Sequence, residues 1–286
     1  MMPPDGAHVA LWQHGVALAL VMTDVLARAG RSRALMPVRF ARAIVVNCCG
    51  DAVASMTPAR IGGEPIRFVG YTRSGLGGPT VLASFATETM LDVIILGTGA
   101  VLVGPMLARA GWHLMERVAP LASAGAWTAA VFVAGAVCVA ALVIRRRYPR
   151  TVGRVTTFLS ESWHRFRNQP SRAVALAGVC TIVSLAARLA ILPVLLANTP
   201  GLEWRSLALG SVAALYVLLL TPTPGGIGLV ELGFFAGLGD ALDPRQVAML
   251  LVAWRSYTWL IGAGVGGLLL LRERRAHRRL NRVVPA

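Results

Sequence analysis

Two short stretches rich in proline and glycine interrupt otherwise apolar sequence, and they restrict the possible folds more than any other feature. The first is Thr57-Pro58-Ala59-Arg60-Ile61-Gly62-Gly63-Glu64, and the second is Thr221-Pro222-Thr223-Pro224-Gly225-Gly226-Ile227-Gly228-Leu229-Val230-Glu231. Each is followed, about one long helix later, by charge inside a hydrophobic run: Glu88 and Asp92 first, Arg255 second. Pro58 to Glu88 is 30 positions and Pro224 to Arg255 is 31. Broken backbone and buried charge both cost free energy in hydrocarbon, so they persist where they line a protein-walled cavity. Paired breaks in corresponding halves are the sequence pointer to a transporter site, and the chain reads as a small membrane transporter.

Composition supports the membrane class. Hydrophobic residues make up 56% of the 286 and charged residues only 14%, against about one quarter charged in soluble domains. Apolar runs at 125–144 and 247–271 come near the roughly 20 residues that a spanning helix needs. All 28 basic residues are arginine and the net charge is +15. These arginines sit mostly at helix ends and in loops, which membrane topology explains without nucleic acid as a partner. Cys48, Cys49, Cys138 and Cys180 lie in apolar segments without metal-ligand spacing, so they read as small packed hydrophobes. Neither a metal nor another cofactor is expected. The first seven residues carry no basic region, which argues against a cleaved signal peptide.

Along the chain, a weak first span at 9–27 is interrupted by His14 and Asp24, and an arginine-rich loop with Arg28, Arg31, Arg33, Arg39 and Arg42 is expected after it. Residues 40–56 are apolar and end at Thr57-Pro58, because proline disfavours helix at the preceding residue. The stretch 64–78 is too polar to span, and 76–107 forms a long helix carrying Glu88 and Asp92. Further spans are expected at 125–144, 172–198, 204–220 and 245–271, with a short segment at 232–242. Residues 151–171 read as an interfacial helix bearing Phe158, Trp163 and Phe166.

Arginine distribution sets the orientation. The 145–172 connector and the tail from Arg272 are strongly basic and therefore cytoplasmic. The 109–124 connector then lies outside, and the hairpin tipped by Pro58 enters from the cytoplasm. The weakly charged 198–205 and 240–245 loops fall outside, so the Pro222–Pro224 hairpin dips in from the opposite face. The expected architecture is an all-α polytopic membrane protein of about five full transmembrane helices plus two re-entrant helical hairpins in an inverted-topology repeat. It forms one membrane domain over 1–286. Repeat one covers about 9–108, a linker helix 125–145, a basic connector 145–171, repeat two about 172–271, and a basic cytoplasmic tail 272–286. The cytoplasmic (inner) membrane is the expected location.

Glycines 62, 63, 225, 226 and 228 permit positive φ and close approach of backbone to ligand. N–H groups freed at the start of each return helix make an anion site, and a lipid phosphate is the obvious anion. Glu88 and Asp92, spaced i, i+4, face one side of their helix. Their candidate partners are Arg60, Arg67, Arg188 and Arg255, with Glu64 and Glu231 as further acids. Ion pairs that merely hold the bundle together are the alternative, above all for Arg188, which has no motif around it. Asn47 and Asp51, one turn apart, are candidates for the same cavity wall, with a hydrogen-bonded packing role equally open. No His or Cys nucleophile accompanies the carboxylates in either motif, and no nucleotide-type glycine loop is present. Neither an enzyme nor an ATP-driven pump is therefore expected.

These motifs resemble the flippase-like domain family, also called the lysylphosphatidylglycerol synthase transmembrane region. The likeness rests on Pro58-Ala59-Arg60-Ile61-Gly62-Gly63-Glu64-Pro65-Ile66-Arg67 with the downstream acids Glu88 and Asp92. It rests also on Pro222 through Glu231, including Pro224, Gly225 and Gly226, with the downstream Arg255, and it covers about residues 15–271. The resemblance implies a lipid translocase whose Arg60, Arg67 and Arg255 hold an anionic phosphate. Glu88, Asp92 and Glu231 would balance those charges and exchange a proton during alternating access. Thr89 stands where the family carries an arginine, which leaves Glu88 to a distant partner. The span that opens the family looks missing or degraded here. About 15 residues follow Leu271, so the resemblance does not extend to the aminoacyl-transferase domain of full-length synthases. A non-transporting scaffold for a lipid-modifying enzyme remains the alternative, docking through the 145–172 segment, the tail, or anionic lipid head groups at the cytoplasmic face.

Overall fold

Proline sets the ends of the first two helices in the computed structural model, which describes residues 9–57, 60–102, 105, 149–197, 211–212, 228, 230–231, 234 and 243–283. Helix α1 (Leu11–Leu35) stops where Met36, preceding Pro37, turns extended at φ −135°, ψ 144°. Helix α2 (Phe40–Met56) stops where Thr57, preceding Pro58, does the same at φ −107°, ψ 144°, as pre-proline sterics require. Then come α3 (Gly63–Thr72), α4 (Gly78–Leu102), α5 (Pro149–Arg167) and α6 (Ser171–Leu196). Helix α7 (Pro244–Arg255) passes through a π-helical turn (Ser256–Leu260) into α8 (Ile261–Val283). No strand occurs among the described residues. Among the described residues three helices are long and apolar enough to cross a membrane: Gly78–Leu102, Ser171–Leu196 and Pro244–Glu273. The expected span at 125–144, most of that at 204–220, the short segment at 232–242 apart from Phe234, and the break from Thr221 to Ile227 lie outside the described residues.

The described residues fall into two compact units, one comprising 1–77 with 170–286 and the other 78–169. In the first unit α1 runs antiparallel to α6, with Ala17 and Val21 in the same apolar cluster as Ile191, Leu192, Leu195 and Trp254. Gln13, fully buried, donates its Nε2 to the carbonyls of Val194 at 2.9 Å and Leu195 at 3.3 Å. Those carbonyls lie in the last turn of α6, where the Ala197 N–H also reaches Val194 at 3.3 Å, and a distant side chain completes the cap.

Helix α1 corrects one expectation. The arginine-rich segment is not a loop after residue 27: Arg28, Arg31 and Arg33 are inside a 25-residue helix. Asp24 on the same helix, Asp51 on α2 and the Thr181 hydroxyl on α6 receive the Arg28 and Arg31 guanidiniums, so the apolar run can end without the helix ending. Charge was misread as a loop marker.

Helices α2 and α3 form an antiparallel hairpin held together by absent side chains. A Cβ on Gly50 would come within 2.5 Å of the Arg67 side chain, and one on Gly63 within 2.9 Å of Ala54. The glycines between the two helices were expected to supply the left-handed backbone. It occurs instead at Arg60, with φ 59°, a conformation costing about 1–2 kcal/mol in a residue with a Cβ. Helix α8 packs on the other side of α2, with the α-carbon of Gly266 over the carbonyl of Cys48, where a Cβ cannot fit.

In the second unit, α4 buries Val81, Ser84, Phe85, Thr87 and Glu88 while Met90, Val93, Ile94 and Val101 are exposed. This is the one-sided burial that 3.6-residue spacing produces. Helix α5 is polar, with Arg165 bonded to Glu161 at 2.9 Å and the Trp163 and Phe166 rings stacked at 5.4 Å.

Candidate functional site

Five charged side chains converge on a cavity inside the first unit, which has a volume of about 90 Å³. On the same measure one water needs roughly 10–15 Å³, so several waters or one small polar group fit. Helix α1 supplies Asp24 and Arg28, α2 supplies Asp51, the break supplies Arg60, and α6 supplies Arg188. Asp24 accepts from Arg188 Nε at 2.9 Å, from Arg28 Nη2 at 3.3 Å and from the Ser184 hydroxyl. Arg28 Nη1 reaches Asp51 Oδ2 at 2.6 Å, and Arg60 Nη2 approaches Asp51 Oδ1 at 3.9 Å. Asp24 and Arg28 are nearly enclosed, with side-chain exposures of 11% and 15%, whereas Arg60 and Arg188 each keep 33%. The inner pair is therefore structural electrostatics and the outer pair is accessible to a ligand.

The π-helical turn builds the facing wall. It widens the helix right after Arg255, so that Tyr257, Thr258 and Trp259 line the cavity beside Trp254. Such single-turn bulges recur at functional sites. Trp259 Nε1 donates to the carbonyl of Ser55 at 3.3 Å, tying this wall to the end of α2. Tyr257 is tied to α1 by a 2.7 Å hydrogen bond between its hydroxyl and His14 Nδ1. His14, read from sequence as remote from the breaks, thus touches the cavity wall.

The other sequence candidates described in the first unit are not among the cavity-lining residues. Arg67 lies over Gly50, donating to Asn47 Oδ1 at 3.0 Å and to Glu64 at 2.8 Å. Asn47 also accepts from the Tyr71 hydroxyl at 3.1 Å, so this group fastens α2 to α3 outside the cavity lining. Arg255 pairs with Glu231 at 2.7 Å, and the other Glu231 oxygen accepts from the Gly228 N–H at 2.6 Å, where φ is +96°. Glu231 thus links the Gly228 backbone to the end of α7. Arg255 itself is not among the lining residues, although its neighbour Trp254 is. Glu88 and Asp92 belong to the second unit, Glu88 buried and Asp92 half-buried. Pro58, Pro224, Gly225 and Gly226 lie outside the described residues.

Asp24, Arg28 and the aromatic wall were missed. Asp24 was noted only as an interruption of the first span. Its spacing to Arg28, one helical turn, was the available signal, since an acid and a base at i, i+4 inside an apolar run share a face.

Apolar helices of membrane length around a charged, partly enclosed cavity define an integral membrane protein with an internal polar site. Its sequence matches the lysylphosphatidylglycerol synthase TM region over residues 7–266, and the chain belongs to that family. The comparison with curated proteins returned no match.

Proposed function

We propose that this protein is a lipid translocase, moving a polar-headed, anionic or phosphate-containing lipid between leaflets. The observation that carries the reading is the cavity lined by Asp24, Arg28, Asp51, Arg60 and Arg188 within a family of membrane regions tied by name to a lipid synthase. Charge this deep among apolar helices marks a path for a polar group. The head group would occupy the cavity while the acyl or isoprenoid chains stay in the bilayer.

The α2–α3 hairpin supports the re-entrant arrangement. Its helices have 17 and 10 residues, or about 25 and 15 Å at 1.5 Å per residue, short of the roughly 30 Å hydrocarbon core. On this reading about five full spans and two oppositely inserted hairpins form an inverted repeat. The arginine-rich carboxyl-terminal segment would face the cytoplasm across the inner membrane. The protein would act as a transporter and not as an enzyme.

Vesicles reconstituted with the protein and fluorescent lipids, followed by a membrane-impermeant quencher, test this. Faster exchange of one lipid class than in protein-free vesicles is expected, together with its loss in Arg60→Gln. Equal rates for every lipid tried would end the proposal.

A scaffold role has one observation in its favour: from Gly153 to Arg167 most residues of α5 are exposed. It offers a docking face for a lipid-modifying enzyme. Replacing the α5 arginines would then abolish function while Arg60→Gln would leave it intact.

A further inference from the structure

The charges lining the cavity do not balance. Among the described lining residues three guanidiniums face two carboxylates, and the surplus is unevenly placed. Arg28 is compensated twice, by Asp24 and Asp51. Arg188 uses its Nε on Asp24, and Arg60 has only the 3.9 Å approach to Asp51. The Arg60 and Arg188 guanidiniums also repel one another. Like charges sharing a partly desolvated cavity raise its energy unless an anion joins them. Arg60 is held there on strained backbone, at φ 59°, and such strain persists where the site requires it. The aromatic donors on the facing wall are already engaged, Trp259 with Ser55 and Tyr257 with His14. Arg28 Nε also has no hydrogen-bond partner among the described residues but is buried, and the accessible donors left for a ligand are the two outer guanidiniums, whose planar forks suit an oxyanion.

We propose that the cavity binds one oxyanion group of single negative charge between Arg60 and Arg188, and that Asp51 sets this charge preference. A phosphodiester has that charge. Its source as a phospholipid head group, and not free phosphate, rests on the translocase reading. Asp51 cancels one of the three positive charges, so a group of charge minus one completes neutrality. A phosphomonoester of charge minus two would overshoot, and the cationic end of a zwitterionic head would meet the remaining surplus. Arg28 is the positioning residue, holding Asp51 beside Arg60.

Equilibrium binding to purified protein in non-ionic detergent, read by native mass spectrometry, separates this from transport. The probes are phosphatidylglycerol, phosphatidylcholine, phosphatidic acid at a pH that makes it dianionic, and inorganic phosphate. The wild type should favour phosphatidylglycerol over the other two lipids by roughly tenfold, the factor that about 1.4 kcal/mol represents. Arg60→Gln, which removes no short hydrogen bond, should lose that preference over phosphatidylcholine. Asp51→Asn should shift the preference toward dianionic phosphatidic acid. If Asp51→Asn unfolds, Arg60→Gln and Arg188→Gln decide alone. An unchanged lipid order in folded Arg60→Gln would overturn the proposal, as would one in folded Asp51→Asn. Inorganic phosphate binding as tightly as phosphatidylglycerol would overturn the lipid source. Selective binding without transport would leave the site standing while the translocase reading falls.

Discussion

Asp24 accepts a 2.9 Å hydrogen bond from Arg188 across 164 residues of sequence, joining the middle of α1 to the middle of α6. Two residues that each look like a defect in an apolar helix are one ion pair in the folded protein. Arg28 extends the pair to Asp51 on α2, so three helices are locked by charge at the depth where their apolar surfaces alone would let them slide.

Asp24→Asn should therefore destabilise the bundle. Removing one partner of a buried pair costs about 3–5 kcal/mol. The lower end applies, because Arg188 is a third exposed and water screens part of the loss. Thermal unfolding in detergent would show it, and the double variant Asp24→Asn with Arg188→Gln should lose less than the two single losses added. Additive losses would mean that the pair is not coupled.

Gly266 supplies a test of helix packing. A Cβ there collides with the carbonyl of Cys48, whereas one on Gly264 meets nothing within 4 Å. Gly266→Ala should destabilise by about 1–3 kcal/mol, the usual cost of overpacking, and Gly264→Ala should be neutral or slightly stabilising. Equal melting temperatures for the two variants would refute the close contact between α2 and α8.

Arg60→Gly separates strain from function. It relieves the positive φ at position 60, a relief worth up to about 1 kcal/mol after the extra freedom of an unfolded glycine is counted. It also removes a cavity cation. Unfolding temperature should hold or rise while lipid binding falls, the trade-off expected where a site stores strain. A variant that binds lipid normally would show that the guanidinium is dispensable.

The π-helical turn amounts to one extra residue in a helix. Deleting Thr258 should restore a regular α-helix while leaving Gly266 against Cys48. Tyr257 and Trp259 would then be re-aimed out of the cavity wall that they now form. Near-normal stability with abolished lipid exchange is the expected result. Unimpaired exchange would remove the wall from the mechanism.

The inverted arrangement predicts that Pro58 and Pro224 approach each other near the middle of the membrane. Cysteines introduced at these positions should cross-link. Tips that never cross-link, or that are labelled from the same side, would dismiss the repeat.

Local chemistry made much of this legible from the amino acids alone. Pro37 and Pro58 end their helices through sterics that act between neighbouring residues, and the 3.6-residue spacing of Glu88 and Asp92 puts both on the inward side of α4. Family membership was legible because the motifs around both breaks are contiguous in sequence. The site was legible only in part. Arg60 and Arg188 were singled out as charges in apolar surroundings together with Arg67 and Arg255, which the fold commits to Glu64 and Glu231. Glu64 stands three residues from Arg67 on the same helix and Glu231 is 24 residues from Arg255, whereas Arg188 meets Asp24 across 164 residues, a pairing that only the packing of distant segments decides. The π-helical turn is a tertiary decision too: residues 245–271 read as one uninterrupted helix, and contacts with His14 and Ser55 help to hold the widened turn in place. Sequence determines where charge must be buried, because each helix forms locally, whereas the tertiary structure decides which charges cancel and which are left for a ligand.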